Sequence, residues 1–338
     1  MSQKLGLLAC LAYSVGGMIG SGIFVAPTSV LLHSGSPGLS LCLWIGGALV
    51  SATGALVYVE LGTCIPETGG GFAYQMRAKW KWAAFPFFWL GALFTCPMIL
   101  AIQTTGLSQL IIQTLKQGFE LGDTVALIIQ WSCGLLALGP SEALAHPFEN
   151  STNKPFELVL GLYASLFTYT GWEALNTALG EVENPKLVLP IASIGGIFIV
   201  CIISILLNVA YFSVIDTKEF LKTSAVAALF CERTMGHVSI IIPLLIALLM
   251  LANLNTTLFA TSRYMFAGAA KRALPRTFAC QHPTHLTPRV SVAAQVILAA
   301  ALSFIGNLDQ LISYMSYAEL MDRLSVQFAL IYMRLQKV

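Results

Sequence analysis

Charged residues are scarce in this sequence. Only 10% of its 338 residues are Asp, Glu, Lys or Arg, whereas soluble proteins average about 25%. No charged residue occurs between Lys4 and Glu60, and none between Lys81 and Lys116. A helix of about 20 apolar residues crosses a bilayer core about 30 Å thick, so each of these stretches is long enough to span. The sequence therefore predicts a polytopic α-helical protein embedded in a lipid bilayer.

Motifs for metal binding, catalysis and nucleic-acid binding are also missing. The eight cysteines have no CxxC spacing, and neither HExxH nor GxSxG occurs with the partner residues it needs. The net charge is only +2, and the eighteen basic residues are spread along the chain, which disfavours a nucleic-acid partner. We therefore expect no metal, no cofactor and no enzymatic activity, and we interpret the cysteines as reduced packing residues.

Eight apolar runs are candidate membrane spans. They cover residues 5–32, 38–63, 83–113, 155–179, 188–214, 238–267, 289–306 and 310–333. A weaker run lies at 124–139. Because the loops are short and no low-complexity linker occurs, we predict a single transmembrane domain over residues 1–338. With a cytoplasmic N-terminus most Lys and Arg residues fall in cytoplasmic loops, as the positive-inside tendency requires.

Glycines are concentrated in the middle of the first run. Gly16, Gly17, Gly20 and Gly22 fall close together, and each costs about 1 kcal/mol relative to alanine inside a helix. This density predicts a break in the first span. The glycines alone leave two interpretations open, which are a ligand bound at the break and close helix packing. Gly16 and Gly20 have the small-xxx-small spacing that favours packing.

The run at 155–179 is interrupted in a similar way. It is apolar through Tyr169 and then meets Thr170, Gly171, Trp172 and Glu173. Irregular backbone is tolerated at membrane depth only where it faces protein or a water-filled cavity. A half-helix that begins at a break presents free N–H groups, and one that ends there presents free carbonyls. Two such breaks suit a zwitterionic ligand, and they shift the balance towards a binding site.

Several short segments occur in a recognisable order. They are IGSGIFV at 19–25, ELGT at 60–63, GGGFAY at 69–74, YTGWEALN at 169–176 and LFATSR at 258–263. Together they resemble the light-chain, L-type amino-acid transporters of the amino acid, polyamine and organocation superfamily, and the resemblance covers most of the chain.

The resemblance implies an all-α fold of two inverted repeats, here about 1–140 and 155–334, with broken first and sixth helices. It implies alternating access, exchange or uniport of amino acids, and a location in the plasma membrane. The substrate carboxylate is expected at the first break and the amine at the second. The implied binding residues are Met18, Ile19, Gly20, Ser21, Gly22, Ile23, Phe167, Thr168, Tyr169 and Thr170.

Departures from the family pattern bear on specificity and partners. Thr170 stands where the family has Gly, Ser or Asp, and its neutral hydroxyl favours neutral over cationic substrates. Glu173 is a further candidate binding residue, although pairing with a backbone amide or a neighbouring helix is an equally open role. The segment 113–123 contains no cysteine, so we expect a heavy-chain glycoprotein partner to bind without a disulfide.

Two regions of the family fold are missing. Where the family has two helices, only the run at 124–139 is present, and no further span follows Arg334. We therefore expect an incomplete version of the fold. We expect 124–139 to lie at the outer face or to dip in and return, because one full crossing would invert every later loop. Asn150, in the sequon Asn150-Ser151-Thr152, is then extracellular and is a candidate glycosylation site.

The last run carries Glu319, Asp322 and Arg323. Ionisable residues inside a membrane are rare and have a function by default. Asp322 and Arg323 are expected to pair with each other or to face a cavity, and a slipped or unspanned helix is the alternative.

Amino-acid transport with neutral substrates favoured is the leading functional hypothesis. The alternative is a non-transporting isoform or regulatory subunit on the same scaffold. Uptake of labelled amino acid into proteoliposomes discriminates between the two.

Overall fold

A computed structural model describes residues 6–65, 70–116, 146–177, 182–223, 225–235, 241–280, 288–304 and 307–336. The first half contains α1 (Leu7–Met18), α2 (Ser21–Ser34), α3 (Pro37–Cys64), α4 (Gly70–Arg77), α5 (Lys81–Leu90) and α6 (Cys96–Lys116). A π-helical turn, Gly91–Thr95, joins α5 to α6. The second half contains α7 (Pro155–Thr168), α8 (Ala174–Thr177), α9 (Pro185–Val214), α10 (Thr217–Phe220), α11 (Val226–Met235), α12 (Ile241–Ala270), α13 (Arg289–Leu302) and α14 (Leu308–Gln336).

Local sequence sets the turn between α2 and α3. Gly35 adopts a left-handed conformation with φ of 74°, and its N–H donates to the carbonyl of Leu31, which is the usual way that glycine ends a helix. Ser36 then caps α3, because its side chain accepts a hydrogen bond from the N–H of Leu39 at 3.3 Å. Pro37 occupies the first turn of α3, where its missing N–H costs nothing.

Four helices in the described part of the chain are long and apolar enough to cross a membrane. They are Pro37–Cys64, Lys81–Ile112, Pro185–Val214 and Leu244–Phe266, and the bent pair α1–α2 makes a fifth when it is counted as one span. They correspond to five of the predicted runs. Large apolar side chains on these helices, such as Leu49, Phe198 and Leu248, are exposed, as lipid-facing positions require.

The other predicted runs have different shapes. The runs at 155–179 and 289–306 contain the 14-residue helices α7 and α13, each about 21 Å long. Helix α14 has 29 residues, about 44 Å, but it carries internal charges. The run at 124–139 lies outside the described residues, so its position at the outer face, or dipping in and returning, stays a prediction.

Packing brings the two interrupted segments to the centre of the molecule. Helix α2 packs on α7, α1 packs on α9, and α3 contacts both α7 and α9. Helix α14 packs against α7 on another side, while α6 lies against α12 and α13. Trp44, Tyr58, Tyr169 and Trp172 fill the space between these helices and are almost fully buried. The chain segments around Gly20 and Gly171 therefore meet inside the protein.

Candidate substrate site

The first interruption falls between α1 and α2. Helix α1 ends at Met18 and α2 begins at Ser21, and the two axes differ in direction by 46°. The N–H of Ile19 still donates to the carbonyl of Val15 at 2.7 Å, whereas the N–H of Gly20 turns back to the carbonyl of Met18 at 2.9 Å. No side chain caps the start of α2. The backbone alone therefore forms the positive end of the α2 dipole at this point.

The second interruption follows α7. This helix ends at Thr168, and Gly171 has φ of 114° before the single turn of α8 begins at Ala174. Only glycine adopts such a φ without strain. A Cβ atom at Gly171 would also lie 2.8 Å from the carbonyl oxygen of Gly17. Gly171 thus permits both the local turn and close contact with the first interruption.

The two interruptions pack directly against each other. A Cβ atom at Gly22 would lie 2.7 Å from Cα of Thr168, and one at Gly17 would lie 3.6 Å from the carbonyl oxygen of Gly171. Helix α2 begins and α7 ends at this contact. Free N–H groups of one half-helix therefore lie close to free carbonyls of the other, which matches the two ends of a zwitterion.

The predicted binding residues are mostly buried around this contact. Met18, Ile23, Phe167, Thr168 and Tyr169 are each at most 3% exposed. Ile19 and Thr170 are half-buried, and Gly20 and Gly22 are buried. The backbone of Ser21 begins α2, and its side chain lies outside the described part of the structure.

The hydroxyl groups at the second interruption differ in their partners. Thr170 donates to the carbonyl of Phe167 at 2.8 Å, and Tyr169 donates to the carbonyl of Trp44 at 3.0 Å. The buried hydroxyl of Thr168 has no hydrogen-bond partner among the described residues. Its Oγ1 would lie 3.2 Å from a Cβ atom at Gly22. Thr168 is therefore better placed than Thr170 to bind a ligand at the contact between the interruptions.

The sequence belongs to a known family, according to comparisons with other proteins. The sequence model of the amino acid permease family matches residues 5–139 and 119–337, which is nearly the whole chain. This chain belongs to the amino acid permease family. Because it also carries several apolar helices, it is a multi-pass α-helical membrane protein of the transporter type, as the sequence motifs predicted.

Curated relatives of this permease are amino-acid transporters. It is 33% identical to amino acid transporter protein 6 of Caenorhabditis elegans, over 99% of this chain and 72% of the relative. It is 30% identical to the human cystine/glutamate transporter over 94% of this chain and 71% of the relative. It is 30% identical to the human Asc-type amino acid transporter 1 over 94% of this chain and 68% of the relative.

The alignments also show that this permease lacks residues that its relatives have. The alignment with the nematode relative extends over 377 residues, which is longer than the 338-residue permease. The relative therefore has residues with no counterpart here. The two family matches overlap at residues 119–139, the region where the sequence predicted that helices are missing.

A polar group beside the first interruption was missed by sequence reasoning. The side-chain amide of Asn253 on α12 occupies the space that a Cβ atom at Gly20 would need. Gln103 on α6 donates to Asn253 at 3.3 Å and to Thr257 at 3.0 Å. The sequence signal for this group was the presence of two carboxamide side chains, Gln103 and Asn253, within otherwise apolar runs. Their proximity to Gly20 depends on helix packing that the sequence does not reveal.

Glu173 has a partner on the last helix. Nε of Arg323 lies 2.7 Å from Oε1 of Glu173, and Nη2 of the same guanidinium lies 3.1 Å from Glu319. The guanidinium also lies over the ring of Trp172 at 5.3 Å. Among the roles left open for Glu173, pairing with a neighbouring helix describes this geometry. Of the alternatives left open for Asp322 and Arg323, pairing with each other does not describe the structure, because Arg323 binds the two glutamates instead.

A histidine of α2 contacts both α7 and α14 at some distance from the two interruptions. His33 lies near the end of α2, and its Nδ1 is 2.7 Å from Glu157 of α7, while its Nε2 is 3.1 Å from Asp309 of α14. A cavity of about 510 Å³ adjoins this group and is lined by Leu32, His33, Gly35, Asn150, Thr152, Lys154 and Glu157. Asn150 is exposed there, at the end of the molecule where α2 ends and α7 begins.

Proposed function

We propose that this permease carries amino acids across a membrane by alternating access, with neutral substrates favoured, and that the two interruptions form its substrate site. The contact between the start of α2 and the end of α7 is the observation that carries this proposal. The unpaired hydroxyl of Thr168 lies within that contact. The relatives named above, which are amino-acid transporters, support the same function.

The helix ends provide the charge pattern that an amino acid needs. Aligned peptide dipoles give about half a positive charge at the start of a helix and about half a negative charge at its end. The substrate carboxylate is placed against the N–H groups at Gly22 and Ile23. The ammonium is placed against the carbonyls near Thr168. The pairing of a zwitterion with two opposed helix ends needs no charged side chain.

Apolar side chains around the contact favour a neutral substrate. Met18, Ile23 and Phe167 are buried there, and a charged substrate side chain would lose its hydration against them. Glu173 is the charged residue within the interrupted segment 169–173, and Arg323 already binds it. The proposed role of Glu173 is therefore to hold the second interruption in place.

The contact also suggests how access alternates. Gly22 lies against Thr168 and Gly17 against Gly171, so an amino acid does not fit between these residues while they are in contact. Binding requires α2 and α7 to separate, and release requires the same contact to open towards the other side. Small residues at these positions allow the closed state to form.

Two alanine variants test the site. Alanine at Gly22 places a Cβ atom 2.7 Å from the backbone of Thr168, whereas alanine at Gly16 meets nothing within 4 Å. We expect Gly22→Ala to lose most uptake of labelled neutral amino acids into proteoliposomes. Gly16→Ala is the matched control and should keep it. Equal uptake by the two variants would refute the site.

The wild-type protein in the same assay separates transport from the alternative. Absence of uptake with retained amino-acid binding would indicate a regulatory subunit on the permease scaffold.

We further propose a location in the plasma membrane and a heavy-chain glycoprotein partner held without a disulfide, since the segment 113–123 has no cysteine. Co-purification of a glycoprotein that survives reducing agent would support this partner, whereas its release by reducing agent would contradict it.

A further inference from the structure

A histidine and two carboxylates join three helices at the end of the molecule where α2 ends and α7 begins. Nδ1 of His33, in the last turn of α2, lies 2.7 Å from Glu157, and its Nε2 lies 3.1 Å from Asp309. Glu157 is in the first turn of α7, and Asp309 is in the first turn of α14. We call these three residues the histidine latch, because they tie α2 to both neighbouring helices.

The histidine latch is complete only when both ring nitrogens of His33 carry a proton. Each nitrogen faces a carboxylate oxygen, and an ionised carboxylate only accepts hydrogen bonds. A neutral imidazole has one N–H, so its other nitrogen would direct a lone pair at a carboxylate. An imidazolium donates to both sides. Protonated His33 therefore makes two charge-assisted hydrogen bonds, whereas neutral His33 makes only one.

The helix ends favour this distribution of charge. A helix has partial positive charge at its start and partial negative charge at its end. Glu157 and Asp309 lie in first turns, which favours their ionised forms, and His33 lies in a last turn, which favours a cation. Ser29, one turn earlier on α2, also donates its hydroxyl to Asp309. The proton of the histidine latch therefore belongs on the imidazole.

Glu157 and Asp309 are the charged side chains that act on the imidazole of His33. Lys154 lines the neighbouring cavity of about 510 Å³, but it forms no ion pair with either carboxylate in the described part of the chain. Helices α3, α6 and α11 also pack on α2, and none of their described titratable side chains acts on the imidazole. The charge of the histidine latch therefore depends on His33 itself.

The histidine latch and the substrate site lie at opposite ends of the same helix pair. Helix α2 begins at the contact between Gly22 and Thr168 and ends beside the start of α7. Gly22 and His33 are about 16 Å apart along α2 at about 1.5 Å per residue. Separation of α2 from α7 at this end breaks the contact between His33 and Glu157. The histidine latch therefore opposes entry of substrate from this end.

We propose that the histidine latch is a pH-sensitive gate, which closes this end of the permease when His33 is protonated. The proposal rests on the transport function proposed above. With a cytoplasmic N-terminus, the end of α2 is extracellular, so the gate responds to the external pH.

The sign of the response follows from the hydrogen bonds. Opening separates His33 from the two carboxylates and exposes it to water, and an exposed histidine has a pKa of about 6.5. The open form therefore loses the proton at neutral pH, and closing takes one up again. A falling external pH favours the closed gate, and a rising pH favours the open one. The proton enters and leaves on the same side, so it is not carried across the membrane.

Uptake by cells at external pH values from about 5.5 to about 8 tests the gate, because this range brackets the titration of histidine. Wild-type uptake of labelled neutral amino acids should rise several-fold over the range. His33→Asn removes the titrating group, so its uptake should be high and independent of pH. His33→Lys supplies a permanent cation and should give low uptake throughout. His146→Asn, at an exposed histidine near the same end, is the matched control and should keep the wild-type profile.

Chemical labelling tests the gate without relying on transport. Thr168→Cys places a thiol in the contact with Gly22, where Thr168 is only 1% exposed. An impermeant maleimide outside the cell should label this thiol several-fold faster at about pH 6 when His33→Asn is also present, and at similar rates at about pH 8. The ratio of the two rates at one pH cancels the effect of pH on the thiol. Mass spectrometry of the peptide containing residue 168 separates this label from labels on exposed native cysteines such as Cys42.

The outcomes separate the gate from the proposed function. A wild-type pH profile in His33→Asn overturns the gate, as do equal labelling rates at about pH 6 or an equal response of uptake to internal pH. Absence of wild-type uptake at every pH refutes transport, and the labelling ratio then decides the gate by itself.

A second variant covers the case in which His33→Asn does not fold. Asp309→Asn removes one of the two carboxylates that hold the proton, and its amide oxygen still accepts from Ser29. The rise in uptake should then occur at a more acidic external pH than in the wild type. An unchanged profile overturns the gate.

Discussion

The two interruptions are built by different means. The first depends on glycines that are close together in the sequence, and it contains no charged residue between Lys4 and Glu60. The second has one glycine with a positive φ, Gly171, and is held from a distance by Arg323 of α14. One interruption is therefore local in origin, and the other requires a contact between residues 150 positions apart.

This difference predicts which substitutions each interruption tolerates. The first has close contacts at Gly20 and Gly22, but it also has exposed positions such as Gly16, where a methyl group meets nothing, and it needs no ion pair. The second combines a required backbone conformation with a buried ion pair. We therefore expect the second interruption to be the more sensitive of the two.

The largest effect is expected at Gly171. Alanine there is strained by a φ of 114° and places a methyl group 2.8 Å from the carbonyl oxygen of Gly17. The backbone strain alone costs on the order of 1–3 kcal/mol, and the collision adds to it. Thermal unfolding in detergent should show a large loss of stability, and uptake should be abolished. Gly195→Ala, where the nearest atom is 3.6 Å away, should be as stable as the wild type or more so.

A loss of the ion pair should have the next largest effect. Arg323→Met leaves Glu173 and Glu319 without their partner, and an unpaired charge of this kind costs about 3–5 kcal/mol when buried. Arg334→Met is the matched control, because this side chain is 66% exposed where it binds Glu60. A surface pair contributes at most about 1 kcal/mol. Equal thermal stabilities of the two variants would show that the second interruption does not need Arg323.

The double variant Arg323→Met/Glu173→Gln extends that comparison. Neutralising Glu173 removes one of the carboxylates that Arg323 leaves behind, so the double variant should recover part of the lost stability. A double-mutant cycle measured by chemical unfolding gives the coupling energy of the two residues. Strict additivity would contradict a direct interaction.

A subtler contrast concerns two neighbouring hydroxyls. Thr168→Val removes a hydroxyl that has no partner in the described structure, whereas Thr170→Val removes one that donates to Phe167. We expect Thr168→Val to reduce substrate binding several-fold with little change in stability. Thr170→Val should instead lower stability by about 1 kcal/mol and affect binding less. Substrate binding measured by scintillation proximity should fall more in Thr168→Val, whereas stability measured by thermal shift should fall more in Thr170→Val.

The smallest effect is expected at Asn150. The N–H of Thr152 donates to the carbonyl of Ser34 at 2.9 Å, so the segment around Asn150 lies at the end of α2. With a cytoplasmic N-terminus that end is extracellular, and Asn150→Gln should remove an N-linked glycan without altering uptake. If an impermeant maleimide labels a cysteine at position 150 only after permeabilisation, the second half is inverted and the two interruptions do not meet.

Several features of the fold and site were predictable because they depend on local chemistry. The spans at 38–63 and 188–214 follow from long apolar runs, and the helices Pro37–Cys64 and Pro185–Val214 lie within a few residues of them. The candidate binding residues followed from a resemblance between short segments. Their burial and mutual contact required the tertiary structure.

Other features escaped the sequence because they join distant residues. Asn253 approaches Gly20 through the packing of α12, and nothing in the local sequence of either residue predicts that contact. The sequence left open a pairing of Arg323 with Asp322, which the described residues do not form because adjacent residues in a helix point in different directions. Glu319, four residues before Arg323, lies on the same helical face, and Glu173 reaches it only through packing.

The sequence by itself determined that this protein is a helical membrane protein with glycine-weakened segments, since hydropathy and backbone entropy act over neighbouring residues. Only the tertiary structure decided that the two weakened segments meet, which hydroxyl there lacks a partner, and which carboxylate Arg323 leaves without one. These outcomes depend on distances between helices far apart in the chain. The free energy of such contacts is set by burial and by low dielectric, which exist only after the helices have packed.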